Sequence, residues 1–169
     1  MMMQLKAGNE NQVVIQTYET AEDCFKTNYY GIKQLTEALV PLLRQSDLAR
    51  IVNLSSQVGQ LSGISNEKAG KVLGDCDSLT EEKVDNLVEG FLEDVKQNLV
   101  EAKSWPSSLS AYIVSKAALN AYTRVLVNKY SNKTPINAVS PGLPTRTEEA
   151  AKGGVSGLYF EQTELSTFE

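Results

Sequence analysis

The stretch LSAYIVSKAAL, residues 109–119, places a tyrosine and a lysine four residues apart among small and apolar side chains. Four residues advance an α-helix by about 400°, so Tyr112 and Lys116 lie on one helix face, one turn apart. A nearby ammonium favours the ionised form of a phenol, and such a phenol can exchange a proton near neutral pH. The pair therefore suggests a general acid, although a half-buried tyrosine beside a solvated lysine is the commoner arrangement for two such residues alone.

The segments on either side of this helix alternate between helix and strand. ARIVNLSS, residues 49–56, is typical of a strand buried on both faces, and PINAVSPG, residues 135–142, of a short strand and a turn. LYFEQT, residues 158–163, is a candidate last strand. A helix followed by a buried strand is the repeating unit of a parallel sheet, so the sequence predicts an α/β fold.

A helix is predicted from Thr20, as its N-cap, to about Arg44. Gly31 interrupts it at a cost of about 1 kcal/mol, so we expect a packing reason for this glycine. The apolar residues at helical spacing, which we expect on the buried face, are Phe25, Ile32, Leu35, Leu39 and Leu42.

Residues 60–107 form a predicted insert before the tyrosine–lysine helix. Residues 57–79 are glycine-rich and polar and are predicted to form a loop, whereas residues 80–99 predict a helix capped by Thr80. The residues of that helix expected to pack on the protein body are Leu87, Phe91 and Val95. Those expected to face water are Glu89, Asp94 and Lys96.

Three polar residues stand at positions suited to a site. Ser55 and Ser56 end the 49–56 strand, where α/β sheets place ligand-binding residues, and a hydroxyl there can hold a substrate oxygen. The two serines can also simply make turn hydrogen bonds. Asn28 lies inside the first predicted helix, where asparagine is a poor helix former. It is either a satisfied surface residue or a polar side chain turned inward to hold a water.

The composition argues against several functions. The balance of 16 Lys and Arg against 21 Asp and Glu disfavours a nucleic-acid or anionic-membrane surface. With no histidine and two distant cysteines, Cys24 and Cys76, neither a zinc site nor Ser-His-Asp catalysis is expected. No apolar run approaches the roughly 18 residues of a membrane span, and no signal peptide is evident. The thiols suit a reducing compartment, so we expect a cytoplasmic protein.

Four motifs together resemble the short-chain dehydrogenase/reductase family and occur in its order. They are KTNYYG (26–31), RIVNLSSQVG (50–59), SAYIVSKAALNAYTR (110–124) and INAVSPG (136–142). The long segment between Ser56 and Tyr112 is most similar to the plant salutaridine, menthone and carbonyl reductase group of that family. The resemblance implies a Rossmann-like, doubly wound parallel sheet and NADPH-dependent reduction of a small-molecule ketone or aldehyde to an alcohol.

The resemblance also implies a role for each matching residue. Tyr112 would donate the proton, and Lys116 would promote its ionisation and hold the nicotinamide ribose. Ser56 would orient the carbonyl and stabilise charge on its oxygen, and Asn28 would hold a water of the proton relay. Cofactor contacts would come from Tyr112, Lys116, and the turn formed by Pro141 and Gly142. The insert helix would cover the face through which most family members pair, which favours a monomer.

The chain departs from the family pattern in two places. The family begins with a strand and a Thr-Gly-x-x-x-Gly-x-Gly turn that holds the pyrophosphate, whereas AGNENQ, residues 7–12, has one glycine. After Gly142, Pro144 replaces the usual valine, Arg146 stands at the usual threonine, and the segment before the last strand is short. We therefore expect one incomplete Rossmann-like domain over residues 1–169, truncated at its N-terminus and with an unpaired strand edge.

Three functional hypotheses remain open on these residues. The first is a carbonyl reductase impaired by loss of the glycine-rich cofactor motif. The second is an inactive, truncated remnant of such an enzyme. The third is a non-catalytic partner that pairs with a fuller family member. Turnover dependent on Tyr112 would separate the first hypothesis from the other two.

Overall fold

The computed structural model describes residues 16–130, 134–141, 159–161 and 164–166. A long helical segment opens it and comprises α1 (Tyr18–Phe25), a π-helical turn (Lys26–Tyr30) and α2 (Gly31–Leu43). The N-cap is Thr17 rather than the predicted Thr20. Thr20 is the third helical residue of a capping box, in which each threonine side chain accepts a hydrogen bond from the other's backbone N–H.

Gly31 ends the π-helical turn, and its N–H donates to the carbonyl of Lys26, five residues earlier. A Cβ at Gly31 would lie 2.8 Å from that carbonyl oxygen, closer than side chains tolerate. The packing reason expected for this glycine is therefore the π-helical turn itself.

The predicted apolar stripe is wrong for its three leucines, whereas Ile32 is partly buried. Phe25 is fully buried, but Leu35 and Leu42 are 56% and 62% exposed, and Leu39 is also exposed. The buried residues of α2 are instead Lys33, Thr36 and Val40, one position later along the chain. The π-helical turn adds one residue to the helix, which rotates every following residue by about 100° relative to an uninterrupted α-helix.

The sheet contains β1 (Ile51–Leu54), β2 (Ile136–Ser140), β3 (Tyr159–Glu161) and β4 (Glu164–Ser166), in that order. The first three strands are parallel neighbours, and β4 pairs antiparallel with β3. The three predicted strands are confirmed, and β4 is an addition. The α/β prediction with a partial parallel sheet is thus confirmed.

β2 is buried along its whole length, but β1 is not buried on both faces as predicted. Leu54 is 52% exposed, and Ile51 and Val52 are only partly buried. Within the described ranges no strand pairs with the outer edge of β1. The expected unpaired edge is therefore present in this part of the chain.

The segment after β1 is not the predicted loop. Two short 3₁₀ turns (Gln57–Gly59 and Leu61–Gly63) lead into α3 (Glu67–Gly74). Asn66 caps α3, since its side-chain oxygen accepts a hydrogen bond from the Ala69 N–H at 2.9 Å. Ala69 and Leu73 are the buried residues of this helix.

Helix α4 (Glu81–Lys96) has the predicted N-cap at Thr80, whose hydroxyl accepts from the Lys83 N–H at 3.3 Å. Phe91 and Val95 are buried, and Leu87 is partly buried, as predicted, while Glu89 and Lys96 face water. The prediction that Asp94 faces water is wrong. Its carboxylate is buried. The cost of burying it is offset because it accepts hydrogen bonds from the Trp105 indole at 2.9 Å and from Lys103 at 2.6 Å.

Helix α5 (Ser110–Tyr130) is the predicted tyrosine–lysine helix and crosses the centre of the molecule. Phe25, Tyr29 and Phe91 from the surrounding segments and Tyr122 of α5 itself form its aromatic core, and each is at most 1% exposed. This core packs α5 against the π-helical turn. Among the described residues, no helix is long and apolar enough to cross a membrane.

Candidate active site

Tyr112 and Lys116 lie in the first two turns of α5 and differ sharply in exposure. The Tyr112 side chain is 36% exposed, whereas Lys116 is 7% exposed. The Lys116 Nζ atom lies 5.7 Å from the centre of the Tyr112 ring, and it donates a hydrogen bond to the Leu54 carbonyl at 2.9 Å. Lys116 therefore joins the tyrosine to the carboxyl end of β1.

The ammonium of Lys116 is buried, and no described residue places an anion against it. Burial lowers the pKa of Lys116, and the charge of a Cys24 thiolate would partly oppose that effect. No carboxylate in the described part of the chain forms a salt bridge with it. A lysine ammonium has three N–H donors, and the Leu54 carbonyl uses one of them. The remaining donors suit hydroxyl groups of a ligand.

The loop that follows Ser56 lies directly on α5, and Gly59 makes this close approach possible. A Cβ at Gly59 would lie 2.7 Å from the Lys116 Cβ and 2.9 Å from its carbonyl carbon. The Gly59 carbonyl also accepts a hydrogen bond from the Asn120 side chain at 3.0 Å. Sequence reasoning did not assign a role to this glycine, although its position three residues after the serine pair was the available signal.

The two serines at the end of β1 have different environments. Ser55 is buried, its N–H donates to the Val139 carbonyl at 2.7 Å, and its hydroxyl has no partner among the described residues. Ser56 is partly exposed and has an extended backbone. Its hydroxyl makes no hydrogen bond to any residue that the structure describes. Ser56 is thus the serine better placed to contact a substrate.

Asn28 lies in the π-helical turn and reaches α5. Its Nδ2 atom donates hydrogen bonds to the Ser115 hydroxyl at 3.1 Å and to the Cys24 sulfur at 3.4 Å. Ser115 in turn donates to the Tyr112 carbonyl at 2.8 Å. Sequence reasoning did not assign Ser115 or Cys24 to the site, although Ser115 directly precedes Lys116 and Cys24 lies four residues before Asn28.

Pro141 directly follows β2, at the same end of the sheet as the two serines, because β1 and β2 are parallel with Leu54 opposite Val139. Gly142, the other half of the predicted turn, lies outside the described residues. Tyr112, Lys116 and Asn28 thus gather around one turn of α5, beside the end of β1. That Ser56 and Tyr112 act on the same carbonyl oxygen, as the resemblance implies, stays a prediction.

Two large clefts lie elsewhere, in the insert. One of about 840 Å³ is lined by residues of α3, α4 and Trp105, and one of about 680 Å³ lies between the end of α4 and residues 107–110. Neither is lined by Tyr112, Lys116, Ser56 or Asn28. These two clefts therefore do not mark the predicted site, which is identified by the chemistry of its residues.

Known proteins are similar to this chain in sequence and in fold. No family model matches the chain. It is 47% identical over 178 residues to salutaridine reductase of Papaver bracteatum, in an alignment covering 93% of the chain and 57% of that protein.

Two solved structures are similar in fold. The structure of salutaridine reductase from Papaver somniferum has a TM-score of 0.81 and 45% identity, and covers 87% of this chain and 56% of that one. Menthone neomenthol reductase from Mentha piperita has a TM-score of 0.80 and 45% identity, with coverage of 89% and 53%. The chain spans little more than half the length of these relatives. At this similarity in sequence and in structure, the chain belongs to the short-chain dehydrogenase/reductase family.

Proposed function

We propose that the chain reduces a small-molecule ketone or aldehyde to an alcohol with NADPH, and that it does so poorly. The observation that carries this proposal is the buried ammonium of Lys116. It has no carboxylate partner in the described residues and lies 5.7 Å from the ring of an exposed tyrosine. Burying an ammonium without an anion lowers the stability of the folded chain. A role of this lysine in proton transfer and ligand binding would explain why it lies beside a phenol despite that cost.

Each residue has a distinct role in the proposed reaction. The Tyr112 phenol gives its proton to the carbonyl oxygen, and the Lys116 ammonium stabilises the phenolate that remains. The Ser56 hydroxyl donates a hydrogen bond to the same oxygen as negative charge develops on it. Asn28 holds a water that returns a proton towards Tyr112. Bound NADPH would supply the hydride that the carbonyl carbon accepts, which balances the conversion of ketone and proton to alcohol.

The described residues fit the nicotinamide end of such a cofactor. Lys116 has two N–H groups left for the ribose hydroxyls, and Tyr112 offers its phenol to the same sugar. Pro141 and Gly142 would form the turn beside the nicotinamide. The 169 residues contain no glycine-rich turn of the family pattern for the pyrophosphate. NADPH binding by this polypeptide should therefore be weak, which is why turnover should be poor.

The substrate class, the oligomeric state and the location are also part of the proposal. Since menthone is a cyclic ketone and appears in the name of one structural relative, a cyclic ketone is a reasonable first substrate to test. Helix α4 packs on α5, which supports the expectation that it covers the face through which most family members pair and that the chain does not pair there. The free thiols of Cys24 and Cys76 suit the cytoplasm.

The test is a titration of the purified chain with NADPH, followed by fluorescence, together with a turnover assay on menthone. We expect weak binding and slow turnover that Tyr112→Phe abolishes. Tyr18→Phe, which alters a tyrosine whose hydroxyl bonds Glu22 within α1, is the matched control and should leave turnover unchanged. Equal activity of the two variants would refute the role of Tyr112, and micromolar NADPH binding would refute the impairment.

A second function, a non-catalytic partner of a fuller family member, is favoured by a separate observation. Large apolar side chains are exposed along α2, in the turn that follows it and at the end of β1: Leu35, Leu39, Leu42, Leu48 and Leu54. Exposed apolar surface of this kind often marks an interface. Co-expression with Papaver somniferum salutaridine reductase, followed by affinity purification of one chain, tests it. A complex that forms equally well with Tyr112→Phe would support this function.

A further inference from the structure

Helix α5 begins at a residue that cannot cap it. The Ile113 N–H donates to the Leu109 carbonyl at 2.9 Å, so Leu109 occupies the N-cap position, one residue before the helix starts at Ser110. An N-cap side chain ordinarily accepts a hydrogen bond from an N–H of the first turn, and a leucine side chain has no acceptor. The φ angle of Leu109 is 51°, in the left-handed region that is unfavourable for leucine. The start of α5 therefore depends on another part of the chain.

Gln16 supplies the missing acceptor. Its Oε1 atom accepts a hydrogen bond from the Ala111 N–H at 2.8 Å and another from the Ser110 hydroxyl at 3.0 Å. Ala111 is the second residue of α5, and its N–H is one of those that an N-cap side chain usually satisfies. Because a backbone N–H can only donate, the Gln16 amide must turn its oxygen towards α5. Ala111 is buried, so removal of Gln16 would deprive a buried N–H of this partner.

The turn that Gln16 caps is the turn that carries Tyr112. Tyr112 directly follows Ala111, and the end turns of a helix are the ones that fray. Lys116 lies one turn further along the helix and is buried. The 5.7 Å between the Lys116 Nζ atom and the centre of the Tyr112 ring therefore depends on whether the first turn of α5 stays formed.

Gln16 also connects the start of α1 to the start of α5. The residue after Gln16 is Thr17, which is the N-cap of α1. The other end of the same helical segment contacts α5 again, through the hydrogen bond from Asn28 to Ser115. The segment of residues 16–28 is thus bonded to the first two turns of α5 at both of its ends.

We propose that Gln16 is a positioning residue for carbonyl reduction: its amide oxygen caps α5 and so holds Tyr112 in place beside Lys116. The inference rests on the proposed function, because the placement of Tyr112 matters for activity only if Tyr112 transfers a proton. In this role Gln16 contacts neither substrate nor cofactor. It acts through the first turn of α5.

Asn66 provides a matched control. Its amide oxygen also accepts a hydrogen bond from the N–H of a buried alanine in the first turn of a helix, Ala69 of α3, at 2.9 Å. Asn66→Leu and Gln16→Met each replace a capping amide by an apolar side chain of similar size. Asn66 also donates to the Lys103 carbonyl, so Asn66→Leu should destabilise the chain at least as much. A purely structural role of Gln16 would make the two variants behave alike in an activity assay.

The experiment compares Gln16→Met, Gln16→Glu and Asn66→Leu in the menthone assay. We expect Gln16→Met to lower kcat by about 10- to 100-fold with KM for menthone unchanged, because a misplaced proton donor slows the reaction and not the binding of the ketone. Gln16→Glu keeps an oxygen acceptor at the helix N-terminus, where a carboxylate is favourable, and should keep most of kcat. Asn66→Leu should keep the kcat of the unaltered chain.

Amide hydrogen exchange detects the cap independently of turnover. The amides of Ala111 and Ile113 should exchange faster in Gln16→Met, and the amide of Ala69 should exchange faster in Asn66→Leu. A kcat unchanged by Gln16→Met, or equal losses of kcat in Gln16→Met and Asn66→Leu, would overturn the inference and leave the proposed function standing. If the unaltered chain shows no turnover, the proposed function and the positioning role fall together. Faster exchange at Ala111 in that case would show a structural cap only.

Discussion

Gly59 lies closer to a neighbouring helix than any side chain would allow. A Cβ there would meet the Cβ and the backbone of Lys116, and the backbone of α5 cannot move aside cheaply. We predict that Gly59→Ala destabilises the chain by about 1–3 kcal/mol, the usual range for overpacking. Gly90→Ala is the control, because a Cβ in that interior position of α4 meets nothing within 4 Å. It should stabilise the chain by about 0.5–1 kcal/mol in the same urea titration.

The buried ammonium of Lys116 should make stability depend on pH. Burial lowers the pKa of Lys116 below the 10.5 of an ordinary lysine, so the folded chain loses this proton at a lower pH than the unfolded chain. Between those two pKa values the unfolded state binds more protons, and stability rises with pH. Below the folded pKa the full cost of burying the charge is present.

Lys116→Met removes that titration. We expect the stability of the unaltered chain minus that of Lys116→Met to rise as the pH approaches 10.5, measured by urea unfolding from pH 7 upward. A difference that stays flat or falls over that window would show that the ammonium is solvated or paired in solution.

At the scale of whole elements, one charged cluster attaches the insert helix to the rest of the fold. Lys33 of α2 forms salt bridges with Asp85 at 2.7 Å and Glu81 at 2.9 Å, both on α4. The Tyr29 hydroxyl also donates to Asp85 at 2.9 Å. Removing one member leaves the buried Lys33 charge with less compensation, which is the costly way to alter such a pair.

We therefore predict that Asp85→Asn lowers the free energy of unfolding by about 2 kcal/mol. This is less than the 3–5 kcal/mol of a fully buried pair, because the Asp85 side chain is 28% exposed and Glu81 remains. Glu82→Gln, an exposed neighbour with the same charge change, should alter stability by less than about 0.5 kcal/mol. Hydrogen exchange of α4 should accelerate in Asp85→Asn alone. Equal effects in the two variants would mean that the cluster does not hold the helix.

The elements that were predictable from the sequence carry strong local signals. Helix α4 combines a threonine N-cap with a long one-sided stripe, and β2 is a short apolar run between turn residues. Helix α3 has eight residues and two glycines, so its local signal is weak. The buried face of α2 was predicted wrongly because of the π-helical turn. Hydrophobic periodicity assumes a constant number of residues per turn, and the one added residue shifts the buried face.

The sequence predicted only those contacts of the site that lie within one helix or strand. Tyr112 and Lys116 share a turn of one helix, so their spacing was enough to place them together. The bond from Asn28 to Ser115 joins residues 87 positions apart, and no local pattern marks such a contact. The burial of Asp94 depends in the same way on Lys103 and Trp105, which lie beyond the end of α4.

At the scale of the molecule, two features are most at odds with an isolated monomer. They are the edge of β1 that no described strand covers and the exposed leucines of α2. Leu48 is 80% exposed in the turn between the two elements, and Leu54 ends the strand. Unpaired strand edges and contiguous apolar surface both promote association. This surface is distinct from the face of α5 that α4 covers. Even if the chain does not pair through the covered face, it can still associate through the exposed leucines and the edge of β1.

We predict that the chain self-associates at micromolar concentrations unless a partner covers this surface. The double substitution Leu35→Lys and Leu42→Lys should shift sedimentation velocity profiles towards monomer, because both side chains are more than half exposed. Neither leucine is packed in the core, so the free energy of unfolding should change by less than about 1 kcal/mol. The control is Gln34→Lys with Ala38→Lys, two exposed positions on the same helix that add the same charge without removing leucine. If the control disperses the chain equally well, the effect is one of net charge. If the unaltered chain is a clean monomer with a cooperative thermal transition, the exposed leucines do not drive association.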